Sequence, residues 1–187
     1  MSVPDIRIEN LAINDVKLIW TIKHDDDRGF FSETYNLESF SNVGIKVRFV
    51  QDNHSKSSHP FTLRGLHFQT PPYAQDKLVR VVKGSIFDVA VDLRKSSPTF
   101  GAHVSAMLSA QEWNQIFVPV GFAHGFMTLE PNTEVTYKVS NHYSPRHDKG
   151  ILWSDPALAI AWPTRLGVRI SPKDERLPVL HSVSELF

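Results

Sequence analysis

The sequence predicts an all-β domain, an antiparallel sandwich or barrel with a few short helices. Three observations carry that expectation. Apolar residues recur with period two along several runs, the runs are short and separated by Gly, Pro, Ser and Asn clusters, and helical periodicity is weak. Strands and helices do not alternate, which sets aside a doubly wound parallel sheet. The 187 residues suit one compact core, and no solenoid repeat or low-complexity tract divides them, so residues 1–187 read as a single domain.

The elements are taken in chain order. Residues 1–25 are expected to supply N-terminal strands, including Ile13 to Ile22. Asn36 to Asn42, with Leu37 and Phe40 three apart, has the spacing of two helical turns, and Val47 to Val50 reads as a strand. Lys77 to Val82 is β-rich and ends in the turn Lys83-Gly84-Ser85. From Phe87 to Arg94 the odd positions are apolar and most even ones charged, the pattern of a strand with one buried face. Val104, Ala106 and Leu108 share a face in the next run, and Ser109 with Glu112 has capping-box spacing before a turn. Glu134 to Val139 alternates again, with Val135, Tyr137 and Val139 inward. The tail after Trp162, with prolines at 163, 172 and 178, is expected to be irregular but packed through Leu166, Ile170 and Leu177.

Composition excludes whole classes of function. Twenty basic residues balance twenty acidic ones, without the basic excess of a general nucleic-acid or membrane-surface binder. Zero cysteines exclude disulfides, a thiolate nucleophile and every Cys-ligated metal site. Met1 to Asn10 carries Asp5, Arg7 and Glu9 in place of an apolar signal core, and no apolar run approaches the ~18 residues of a membrane helix. The expectation is a soluble cytoplasmic protein without nucleic-acid or membrane partners.

The usual catalytic motifs are missing: G-x-S-x-G, GxGxxG after a strand, the P-loop and H-E-x-x-H. Chemistry must then come from side chains projected into a β cavity, and a few candidates stand out. In Leu63-Arg64-Gly65-Leu66-His67-Phe68-Gln69, strand parity puts His67 with Leu63, Gly65 and Gln69, and Arg64 on the other face with Leu66 and Phe68. Pro119-Val120-Gly121-Phe122-Ala123-His124 has a Pro-x-Gly-x-x-His spacing similar to the second motif of cupin barrels. The partner motif of metal-binding cupins, His-x-His followed by Glu, is absent, and two separate histidines fall short of the three or four ligands a metal site needs. No metal is expected. Tyr137 faces inward, where its hydroxyl is either satisfied by a neighbour or used. Lys77 shares parity with Val79 and Val81, so either the strand starts after it and the ammonium reaches solvent, or a lysine points into the barrel to meet an anion.

Taken together the segments resemble the dTDP-4-dehydrorhamnose 3,5-epimerase family, from about Asp25 to Asp174. The residues that carry the resemblance are Asp27-Arg28-Gly29-Phe30-Phe31-Ser32-Glu33, Phe49-Val50-Gln51-Asp52-Asn53-His54-Ser55, Leu63 to Gln69, Lys77-Leu78-Val79-Arg80-Val81 and Gly121 to Phe126. Five motifs in the family's order are far more specific than any one alone. The resemblance implies a cupin-like jelly roll, a homodimer and a cofactor-free epimerase acting on a dTDP-4-keto-6-deoxy sugar in dTDP-rhamnose biosynthesis.

It also implies roles. His67 would be the base and Asp174, in Ser171-Pro172-Lys173-Asp174, the carboxylate that orients it; Lys77 would sit by the C4 oxygen and Tyr137 would return a proton from the other side. Arg64 and His124 would line the sugar pocket, with Tyr143 in its wall. Gln51 and Asn53 would contact the dTDP moiety, and Arg28, Phe31 and Glu33 would reach into the neighbouring subunit's site. Such chemistry needs no metal or redox cofactor, because both C3 and C5 are α to the C4 ketone and lose protons to give an enolate. Two alternatives stay open: a relative that inverts C3 only or C5 only, and a non-catalytic sugar-nucleotide-binding cupin.

Overall fold

The structure, a computed structural model, describes residues 6–187; expectations for residues 1–5 lie outside the described residues. Two antiparallel sheets face each other. The six-stranded sheet runs β1 (Ile6–Asn10), β2 (Lys17–Thr21), β10 (Asn114–Val118), β7 (Lys77–Lys83), β12 (Thr133–Val139), β5 (Gln51–Ser57). The five-stranded sheet runs β13 (Asp148–Gly150), β6 (Leu63–Gln69), β11 (Phe122–Thr128), β8 (Ser85–Asp92), β9 (His103–Ser109). A small hairpin, β3 (His24–Asp26) and β4 (Gly29–Phe31), stands apart from both. Two short helices, α1 (Leu37–Asn42) and α2 (Pro172–Glu175), complete the fold, with a single 3-10 turn at Leu180–Ser182.

Three packed layers arise from the apolar pattern. Val79 and Val81 of β7, Ile116 and Val118 of β10 and Val135 of β12 meet Ile86 and Ala90 of β8, Val104, Ala106 and Leu108 of β9, and Phe122 and Phe126 of β11 between the sheets. Outside the five-stranded sheet, Val89, Val91 and Leu93 are covered by Leu158, Ile160, Trp162 and Leu180 of the tail. Outside the other sheet, Ile19, Leu78 and Phe117 meet Phe40 and Ile45.

The strand over 87–94 therefore departs from expectation. It is not half-buried: the odd face packs under the tail, and the even face, with Ile86 and Ala90, lines the barrel interior with Asp88 fully buried on it. Without the tail, Val89, Val91 and Leu93 would face water at roughly 2 kcal/mol each, which is what holds an irregular segment against the sheet.

Smaller corrections have local causes. The expected strand from Ile13 starts at Lys17, because residues 11–16 close a turn through the Val16 N–H to Ile13 C=O and Leu11 N–H to Val16 C=O bonds. Val47 to Val50 is not a strand; pairing with β12 is regular only from Gln51. Leu166 is exposed, while Ile170 packs on the tail core and Leu177 lies over Gly150. The helix expected over 36–42 is present, with the Asn36 side chain accepting from the Glu38 and Ser39 N–H groups as its N-cap.

Candidate active site

The site is built on the inner face of three adjacent strands. His67 of β6 and His124 of β11 are direct cross-strand partners, and His124 in turn pairs with Ala90 of β8. Strand parity put Arg64 on the opposite face from His67, yet both line one cavity. The reason is a bulge: between the paired positions β11 advances from His124 to Phe126 while β6 runs from His67 to Arg64, one residue more. An extra residue turns the strand over and re-aims the side chains beyond it. Gly65 makes it possible, with φ of +116° and a backbone so close to β11 that an added Cβ would lie 2.6 Å from the Gly125 Cα.

The tail brings the carboxylate. Residue 169 bonds along the start of β6, with Leu63 N–H donating to Arg169 C=O and Arg169 N–H to Phe61 C=O. The chain then turns into α2, whose N-cap is Ser171 and whose first position is Pro172, a ring already set at helical φ. Asp174 N–H donates to Ser171 Oγ at 3.0 Å, which fixes the carboxylate. Its Oδ1 lies 2.8 Å from His67 Nε2, and its Oδ2 accepts from Gly65 N–H at 3.2 Å. Burial pushes the Asp174 carboxyl up, but the hydrogen bond and charge of His67, the Gly65 N–H and Ser171 together hold it below its ordinary value. An ionised carboxylate on Nε2 keeps the proton there and leaves the lone pair on Nδ1, the tautomer a base requires.

Lys77 and Tyr137 face this dyad from the other sheet. The strand begins at Lys77, so the choice left by the sequence falls to the inward-pointing lysine. Its Nζ donates to the His67 C=O at 3.2 Å, and burial lowers the ammonium to about 8, partly offset by the charges of Asp148 and Asp88. Burial raises the Tyr137 phenol, against the opposing charge of Arg64. Among the described residues no buried side-chain polar atom lacks a hydrogen-bond partner.

Two cavities meet at His67, Lys77 and Tyr137. The larger, about 670 Å³, also holds Arg64, His124, Asp174 and a cationic rim of Lys56, Arg169 and Lys173. The smaller, about 380 Å³, holds Gln51, Asn53, Tyr143 and Asp148. There Gln51 Nε2 donates to Asn53 Oδ1 at 2.8 Å, and Tyr143 OH donates to Asp148 Oδ2 at 3.2 Å. Lys173 also donates to Asp148, tying α2 to β13.

Arg28, Phe31 and Glu33 are not in either cavity of this chain. Arg28 is exposed on the β3–β4 hairpin and paired with Asp26, Phe31 is 71% exposed, and Glu33 shares a surface cleft with Phe31 and His24. Sequence reasoning missed Asp88, whose parity with Ile86 and Ala90 was a usable signal, and Asp148, Lys173 and Arg169, for which no local pattern existed. Among the described residues no group of three or more His, Asp or Glu side chains is placed to hold a metal ion.

This arrangement defines a jelly-roll protein of the cupin type with an acid–base site between its sheets: an oriented imidazole on one wall, an ammonium and a phenol on the other. The family model for dTDP-4-dehydrorhamnose 3,5-epimerase matches residues 10–182, and the chain belongs to that family. It is 50% identical to the dTDP-4-dehydrorhamnose 3,5-epimerase of Escherichia coli K12 over 93% of this chain and 94% of that one. The crystal structure of the Bacillus anthracis Ames enzyme of the same name, with TDP and PPi bound, superposes with a TM-score of 0.90 at 48% identity, covering 93% of this chain and 99% of that one. A Legionella pneumophila dTDP-6-deoxy-D-glucose-3,5-epimerase in complex with dTDP-4-keto-L-rhamnose gives 0.91 at 42% identity, covering 95% and 94%.

Proposed function

We propose that this chain epimerises C3 and C5 of dTDP-4-dehydro-6-deoxy-D-glucose, giving dTDP-4-dehydro-L-rhamnose for dTDP-rhamnose synthesis, and that it does so without a cofactor. The observation that carries the reading is the placement of base and phenol on opposite sheets across one cavity. Inversion requires a proton to leave one face of the sugar and another to arrive on the opposite face, and a ring lying between the sheets meets His67 on one side and Tyr137 on the other. His67 Nδ1 takes the α-proton; Asp174 stabilises the imidazolium that results. Negative charge moves to the C4 oxygen, where the Lys77 ammonium meets it in a water-poor setting. Tyr137 then delivers a proton to the carbon. Both C3 and C5 flank the same ketone, so one set of groups serves both centres in turn.

Arg64 and His124 line the sugar pocket, with Tyr143 in its wall, and Gln51 and Asn53 suit the nucleoside. The same reading makes residues 1–187 one domain working as a cytoplasmic homodimer. In it the exposed Arg28, Phe31 and Glu33 of each subunit complete the partner's site, with Phe31 as a stacking surface for thymine. The absence of cysteine suits a reducing compartment. The test is the stereochemistry of the product formed from dTDP-4-dehydro-6-deoxy-D-glucose, read by proton NMR. Inversion at both centres is expected; inversion at one selects the narrower epimerase, and an unchanged sugar contradicts the enzyme reading.

A further inference from the structure

A second histidine–carboxylate pair lies beside the first. Asp88 is fully buried on the inner face of β8, and its two oxygens lie 3.1 and 2.9 Å from His124 Nε2, their only side-chain partner among the described residues. The neighbours of Asp88 on that face, Ile86 and Ala90, belong to the apolar core between the sheets. Burying a carboxylate costs several kcal/mol before its pairing is counted, and an apolar residue would pack there more cheaply. The fold has no evident need of the charge. What it faces is the site: His124 is the cross-strand partner of His67, and Lys77 lies within the field of Asp88.

We propose that Asp88 is a positioning residue of the epimerase, fixing the ring and tautomer of His124 beside His67 and supplying fixed negative charge opposite the ammonium of Lys77. The inference rests on the function proposed above but adds a residue that touches no substrate. Bonded to Nε2, Asp88 holds the His124 proton there and stops the imidazole from turning in the cavity wall. Its charge favours the protonated lysine, as does that of Asp148 from β13; His67 and Arg64 of β6, His124 of β11, Tyr137 of β12 and Asp174 of α2 surround the same space.

The test compares wild type with Asp88→Asn, which keeps the shape and loses the charge. The expected result is a kcat lower by roughly tenfold to a hundredfold, a KM within about threefold, and an alkaline limb of the kcat profile moved to lower pH, since Lys77 loses a carboxylate that favours its charged form. A variant with lower thermal stability but wild-type kcat and an unmoved alkaline limb would show that Asp88 is merely structural. A second measurement needs neither turnover nor a stable variant. In 15N-histidine-labelled wild type, His124 should carry a slowly exchanging proton on Nε2; a proton on Nδ1 alone overturns the proposal. A wild type that shows this tautomer yet does not turn over the keto-sugar contradicts the proposed substrate and leaves the pairing intact.

Discussion

Burial takes the Lys77 ammonium down to about 8, well below the ordinary lysine value. The sign is fixed by charge type: the lysine is protonated below that value and neutral above it. In the proposed reaction only the protonated form can face the enolate oxygen, so kcat should fall as pH rises through about 8. Lys77→Arg, if it retains turnover, should lose that limb, because a guanidinium stays charged throughout. A pH–rate profile of the two proteins checks both statements. Tyr137→Phe should slow product formation by roughly a hundredfold while still exchanging substrate protons with solvent, since in the proposed reaction it removes the group that delivers a proton and leaves the group that takes one. The meeting of His67, Lys77, Tyr137 and Asp174 in one cavity was legible only through family motifs: parity alone left Lys77 between solvent and cavity. Asp88 was overlooked because its strand reads as half-buried when charged residues are assumed to face water, although its parity with Ile86 and Ala90 points inward.

At the scale of elements, the site depends on two short irregularities that pattern reading misplaces. The bulge in β6 at Gly65 puts Arg64 and His67 into one cavity, where strict alternation separates them. Period-two reasoning has no means of seeing an extra residue in one strand of a pair. The other is α2, a single turn in a tail read as irregular. Its signal was present in Ser171-Pro172, a capping residue followed by a proline at the first helical position, although four residues leave no periodicity to detect. Ser171→Ala should cost about 1 kcal/mol of stability through the lost cap. It should also lower kcat more than it changes KM, because Asp174 N–H loses the acceptor that aims its carboxylate at His67. Thermal melts and steady-state kinetics on one preparation separate the two effects.

For the whole molecule, the three-layer arrangement ties stability to buried carboxylates at the sheet ends. Asp92 closes β8 and accepts from Arg94, Ser97 and Thr99. Burial pushes its carboxyl up, but those bonds outweigh burial and hold it far below the ordinary range. With a folded value below the unfolded one, this carboxylate stabilises the fold above about pH 4, and the contribution is lost as pH falls through the folded value. Asp92→Asn should therefore cost about 3 kcal/mol at neutral pH and flatten the acid limb of stability, measured by urea unfolding at several pH values. The antiparallel β class, the inward faces of β9 and β12 and the helix at 36–42 were all readable from spacing. The covering of β8 by the tail was not, because that contact joins residues far apart in sequence.

Proton exchange tests the central claim, that one base serves both carbons, most directly. Incubated with dTDP-4-dehydro-6-deoxy-D-glucose in deuterated water, the wild-type protein should place deuterium at C3 and at C5, and His67→Asn should place it at neither. Wild-type exchange at both carbons in the His67→Asn protein would contradict the account.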